Sequence, residues 1–181
     1  FNNCRDNFQI ETGYGMKFGM EQTQYAVGSI LAHSLFCGRQ KFRKGKVLDE
    51  NDVKKLIEFG YGEVATARLE ESDTEENFAA ARVAENIHYN YEPENFTKST
   101  AFTGHVNIFA NKTGIIVLEE EKLTEANSVD NMITIATIPN YSQVIKGSIV
   151  ATIKIISYGV STDKLTKVAS LAIGTIRLKT P

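Results

Sequence analysis

The chain has 181 residues, 42% hydrophobic and 23% charged, with 20 Lys+Arg against 22 Asp+Glu for a formal charge of −2. That composition excludes a disordered chain and argues against a dedicated nucleic-acid binder, which is usually basic. A chain of this size buries roughly 70% of the surface it exposes when unfolded, so a core forms without disulfides, and the length predicts one domain. Cys4 and Cys37 have no CxxC or metal-ligand spacing and read as free thiols of a reducing cytosol. The apolar runs, such as Ile115–Leu118 and Ile153–Ile156, are far too short to span a bilayer, and the first fifteen residues lack a signal-peptide pattern. The expected localisation is therefore cytoplasmic, with no membrane contact. Three Asn-x-Ser/Thr sequons, at Asn95, Asn111 and Asn140, then read as chance matches.

Residues 1–15 are polar, Asn-rich and without period, and predict a disordered or extended segment preceding a single α+β domain over 16–181. Ala26–Leu35 reads as a strand, Cys37-Gly38 as a turn and Lys41–Leu48 as a second strand. Arg39, Lys41, Arg43, Lys44 and Lys46 make that hairpin basic. They read either as a solvated strand face or as an anion site. Asp49–Gly60 is the clearest helix: Asp49 caps it, Val53, Leu56 and Ile57 recur at i, i+3, i+4, and Gly60 ends it. Glu63–Leu69 reads as a strand.

The acidic run Glu70–Glu76 leads into a second helix, with Asp73 and Glu76 spaced as a capping box and Phe78, Ala81, Ala84 and Ile87 as its apolar stripe. Residues 88–100 read as a loop. Phe102–Ala110 and Gly114–Leu118 follow as strands, then a short helix over Glu119–Asn127. Met132–Ile138 alternates cleanly as a strand, and Ser148–Ser157 is long, β-branched and suited to a sheet interior. Asp163–Ala172 predicts a last helix with Leu165, Val168, Ala169 and Ala172 on one face. Ile173–Pro181 predicts a final strand. The expected fold class is α+β: eight or nine short strands in mixed or antiparallel sheets, with three or four helices.

The sequence contains no HExxH, GxSxG, phosphate loop or GxGxxG motif. Of the three histidines, His33 sits in an apolar context and reads as structural. His105, which follows Gly104 and precedes Asn107, is the best single ligand candidate. No nucleophile–base–orienter set can be assembled from spacing.

Six segments in order carry a resemblance: Gly28–Leu35; Phe42–Leu48 with the Asp52…Gly60 helix and Glu63–Glu70; Asp73…Ala84; Phe102–Ala110; Asn127…Tyr141; and Gly147…Ile156. Together, over roughly Met16–Val160, they resemble the N-terminal region of a bacterial family that joins a molybdopterin-binding region to a nucleotidyltransferase of the molybdenum cofactor cytidylyltransferase type. The chain departs from that pattern with Ser72 for Gly, Phe78 for Glu, His105 for Arg and Ser157 for Pro.

The resemblance implies an accessory molybdopterin-binding or scaffolding module, an N-terminal piece of a longer protein whose catalytic domains lie beyond Pro181. Mg²⁺ and CTP would belong to those domains. It implies a small-molecule pterin as partner, with no nucleic acid, a homo-oligomer as a possible assembly and the downstream domains as further partners. The candidate pterin contacts are Thr103, His105, Asn107, Asn127, Asp130, Thr134, Thr137 and Lys154. Asn and Asp would read the pterin's amide and amino edge, and Lys154 would meet its phosphate. Asn127 and Asp130 read more readily as a helix cap and a turn than as ligand contacts. The alternatives are a structural or dimerising domain with no ligand, or part of a cytidylyltransferase. Convergence of the polar residues on one concave site would favour the ligand; dispersal would favour the structural reading.

Overall fold

The computed structural model describes residues 16–87 and 93–180. The expectations for residues 1–15 and for His88–Glu92 of the loop lie outside the described residues. The chain divides into two compact units between Glu71 and Ser72, where length had predicted one domain. The class is α+β: four helices and many short strands, and every strand pairing among the described residues is antiparallel.

In the first unit, β1 (Lys17–Gln22), β5 (Glu63–Arg68) and β2 (Ile30–Leu31) form one sheet in the order β1-β5-β2. A hairpin of β3 (Leu35–Cys37) and β4 (Gln40–Phe42) stands beside it in sequence, and α1 (Glu50–Glu58) follows. Helix α1 starts as its sequence requires. The Asp49 carboxylate accepts the Asp52 N–H at 2.8 Å, and Asp52 accepts the Asp49 N–H at 3.1 Å. The Asp52 N–H bond, with Lys46 nearby, holds the Asp49 carboxyl below its ordinary range. Val53 and Leu56 are buried, with Leu31, Phe42, Leu48 and Val64 in the same cluster, whereas Ile57 is half exposed.

Ala26–Leu35 is not one strand. Gly28 turns through φ +81°, and the Arg68 guanidinium donates to the carbonyls of Tyr25 (3.1 Å) and Val27 (3.4 Å) and to Ser29 Oγ (2.7 Å), so only Ile30–Leu31 is left to pair. The expected Lys41–Leu48 strand is likewise cut at Phe42 by a turn through Gly45. His33, expected in the apolar Ala26–Leu35 strand, is exposed on a bend.

The second unit is built on a four-stranded sheet. Its order is β10 (Ile133–Thr137), β12 (Ile149–Ile155), β8 (His105–Ala110), β7 (Phe96–Lys98). As its β-branched run predicts, β12 lies inside the sheet. Helices α2 (Glu76–Ile87), α3 (Glu120–Val129) and α4 (Thr162–Leu171) contribute Ala79, Ala80, Val83, Ala84, Ile87, Leu123, Ala126, Leu165 and Val168 to one core. The strands contribute Val106, Ile108, Ile133, Ile135, Ile153 and Ile155 to the same core. A second sheet, β11 (Gln143–Val144), β9 (Gly114–Leu118) and β14 (Ile176–Lys179), supplies Ile116, Val144, Ile176 and Leu178.

The start of α2 differs from the sequence reading. Asp73 does not cap it: Asp73–Glu75 is β6, paired with β13 (Gly159–Ser161). The cap is Glu75, whose carboxylate accepts the N–H groups of Asn77 (2.9 Å) and Phe78 (3.0 Å). A long-range strand pair thus overrides the local spacing. The buried face of α2 is correspondingly Ala79, Ala80, Val83, Ala84 and Ile87, and Phe78 is 64% exposed.

Candidate functional site

Register decides which polar residues meet. Across β8, β12 and β10, His105 lies opposite Lys154 and Lys154 opposite Thr134. Directly opposed residues of antiparallel strands share a face, with Cβ atoms about 5 Å apart. The next row on that face is Asn107, Thr152 and Ala136. The alternate rows, Val106–Ile153–Ile135 among them, are buried in the helix-packed core. His105, Lys154 and Ala136 are exposed, and Thr134, Asn107 and Thr152 are half-buried. Four of the eight candidate residues, His105, Asn107, Thr134 and Lys154, therefore share one open, flat face.

The face carries usable donors. Thr152 Oγ1 donates to Asn107 Oδ1 at 2.8 Å, which engages the carboxamide oxygen, and no bond among the described residues takes up the amino group. The Asn107 backbone N–H donates to Ser99 Oγ at 3.0 Å. No hydrogen bond or ion pair engages the Lys154 ammonium or the His105 ring among the described residues. Lys154 is thus a charge held in register with no partner among the described residues.

The other four candidates lie elsewhere. Thr137 pairs with the buried Ala151, on the opposite side of the sheet from Thr134's neighbours. The Asn127 carboxamide bonds one residue of β10 twice: it accepts the Ile135 N–H at 2.8 Å and donates to the Ile135 C=O at 3.0 Å. Asp130 accepts the Met132 N–H at 2.9 Å and pairs with Lys164 at 3.1 Å. Both serve the backbone, though Asn127 caps no helix: from within α3 it covers the edge of β10, and Asp130 makes the turn that follows the helix.

Thr103 is in the turn that enters β8. With Gly104 it forms a two-residue hairpin loop, φ +48° and +67°, closed by reciprocal Phe102–His105 backbone bonds at 3.1 Å. Positive φ at both positions is the type I′ pattern, which favours Asn or Gly first and strains a β-branched residue. Thr103→Asn is expected to raise the stability of the unit by about 1 kcal/mol in urea unfolding. An unchanged or lowered midpoint would show that the threonine is unstrained.

Sequence reasoning missed Phe102. Its backbone bridge to His105 places it at the head of the His105–Lys154–Thr134 row, and it is 71% exposed. The Thr-Gly pair between Phe102 and His105, read as a two-residue hairpin loop rather than as strand interior, was the available signal.

Beneath the turn, the Gly104 N–H donates to Asn77 Oδ1 at 3.0 Å. The Glu76 N–H donates to the Tyr158 carbonyl at 3.0 Å. Burial, with the Glu76 carboxylate second, raises the Tyr158 phenol above its ordinary value. Among the described residues no three His, Cys, Asp or Glu side chains gather as a metal site. In the first unit a shallow depression of about 300 Å³ is lined by Gln22, Gln24, Ile57, Gly60, Tyr61 and Gly62 and contains none of the candidates.

The fold and this face define a two-unit α+β protein with an open antiparallel sheet surface, polar and basic along one row. A family model described as "Domain of unknown function (DUF8806)" matches residues 22–68. That stretch falls within the first unit and runs from the end of β1 through β5, so the candidate face lies outside it. No curated protein and no solved structure matches the chain. No helix among the described residues is long and apolar enough to cross a membrane.

Proposed function

We propose that the chain is a binding and scaffolding module that holds molybdopterin on the open sheet face of its second unit. It would act in the cytoplasm, in a molybdenum-cofactor biosynthetic protein whose nucleotidyltransferase chemistry lies in other domains. One observation carries the reading: the register that sets His105, Lys154 and Thr134 in a row beside Asn107. The donor set fits the ligand. Lys154, with His105 beside it, supplies charge-assisted donors for a phosphate. The Asn107 amino group and the Thr134 hydroxyl supply hydrogen bonds to a pterin edge. The bound pterin would bring the metal-holding chemistry; the residues of this chain would bind and orient it.

A ligand-free structural or dimerising domain is the second reading. Two observations favour it: the eight candidates do not converge on one concave site, and Asn127 and Asp130 are both occupied in holding backbone. Isothermal titration of the whole chain with molybdopterin, anaerobic and reduced, separates the two. Saturable binding is expected. Lys154→Ala should weaken it about tenfold to a hundredfold, the range of a hydrogen bond to a charged group. Absence of saturable heat at millimolar ligand would leave the structural reading standing and remove the first.

A further inference from the structure

We infer that Phe102 is a stacking platform on this face, and that with Lys154 it selects a flat aromatic heterocycle bearing an anionic group. The inference rests on the reading of the face as a ligand surface and names the class of ligand it takes.

A single exposed phenylalanine is ordinary on a protein surface. Phe102 differs in where it is held. The hydrogen-bonded bridge to His105 puts both side chains on one face, so the row from that bridge across β8, β12 and β10 reads Phe102, His105, Lys154, Thr134. The turn that carries it is fixed below. Gly104 accepts the Ile155 N–H at 2.8 Å and donates to Asn77 at 3.0 Å, and a Cβ on Gly104 would meet the Ile155 carbonyl oxygen at 2.7 Å. An apolar ring, 71% exposed, therefore stands on a rigid base beside His105, with Lys154 one strand further along the row, and neither basic side chain has a partner among the described residues. Its π-face accepts any flat ring, while the neighbouring ammonium favours an anionic substituent on that ring. Thr134 and the Asn107 amino group can then bond the ring's polar edge. A formal charge of −2 for the chain, and one aromatic in the row rather than several, favour a small ligand over a nucleic-acid strand.

The test titrates the whole chain with pterin-6-carboxylate, guanosine 5′-monophosphate, ribose 5-phosphate and inorganic phosphate, following calorimetric heat and pterin fluorescence. Phe102 is exposed, so Phe102→Ala leaves the fold intact, and Phe102→Tyr keeps a ring as the control. The two heterocyclic anions should bind at least tenfold more tightly than ribose 5-phosphate or phosphate. Phe102→Ala should lose about tenfold for the heterocycles alone, and Phe102→Tyr should restore it. Equal affinity for ribose 5-phosphate, or indifference of heterocycle binding to Phe102→Ala, would overturn the platform. So would a single-stranded oligonucleotide binding more than a hundredfold more tightly than the mononucleotide. Molybdopterin bound with no dependence on Phe102 would sink this inference and keep the cofactor reading. Phe102-dependent binding of the other heterocycles, with none of molybdopterin, would do the reverse.

Discussion

Gly104→Ala lowers the stability of the second unit by about 3 kcal/mol, the sum of two independent effects. The first is conformational. At φ +67° an L-residue with a Cβ costs roughly 1–2 kcal/mol. The second is steric. The new methyl would meet the Ile155 carbonyl oxygen at 2.7 Å and Ile155 Cβ at 3.2 Å, and neither can turn aside. That oxygen belongs to backbone at the end of β12, in the sheet interior, so relief requires the β8–β12 pairing to spread. Overpacking of this kind costs about 1–3 kcal/mol. The new methyl would also meet the Glu76 carboxylate at 3.2 Å, a side-chain contact rather than backbone. Urea unfolding followed by far-ultraviolet circular dichroism measures the change. A loss under 1 kcal/mol would mean that the hairpin re-forms without its interlock. Because the turn also aims Phe102, any ligand affinity of the face should fall with it.

The second large effect is expected from Asn127→Ala: a loss of about 2–3 kcal/mol and concentration-dependent self-association. β10 is an edge strand, Ile-Thr-Ile-Ala-Thr, with the β-branched composition that recruits further strands. Its outward-facing backbone at Ile135 is closed by the Asn127 carboxamide, which takes both the N–H and the C=O as a neighbouring strand would. At Ile133 the N–H donates to the Asp130 carbonyl at 3.1 Å, so the same loop covers the next position. Ile135 is 4% exposed. Removing the amide therefore leaves a poorly solvated donor and acceptor, each costing about 1–3 kcal/mol less whatever water restores. Sedimentation velocity over a concentration series, beside the urea titration, reads both consequences. A variant that sediments as the parent does and unfolds at the same urea concentration would show that the edge needs no cover. Asn127→Asp keeps the acceptor for the Ile135 N–H but loses the donor and sets a charge against the Ile135 carbonyl, so an intermediate loss is expected.

Asn127 also shows why a polar residue near a strand is a weak pointer to a ligand. Its type suits a pterin edge as well as it suits a peptide edge, since both present a donor beside an acceptor. What separates the two uses is the partner across space. The same holds for Asp130, whose carboxylate is taken by Lys164 from a helix more than thirty positions away in sequence.

Local patterns in the sequence determined α1, α4, β10 and β12. Each rests on information contained within a few turns or pleats: the Asp49–Asp52 cap, the apolar spacing of Leu165, Val168, Ala169 and Ala172, and β-branched alternation. The α+β class followed from those elements. Tertiary structure alone decided the rest. The β6–β13 pairing took Asp73 out of the α2 cap and gave the role to Glu75. The Arg68 guanidinium broke the first long strand by binding the carbonyls of Tyr25 and Val27. The row Phe102–His105–Lys154–Thr134 gathers residues more than fifty positions apart. A slip of one residue in any pairing would send half of that row into the core, because side chains alternate faces with a period of two. Register is fixed by which faces the helices bury and by where bulges fall, and both are properties of the packed chain rather than of any segment in it.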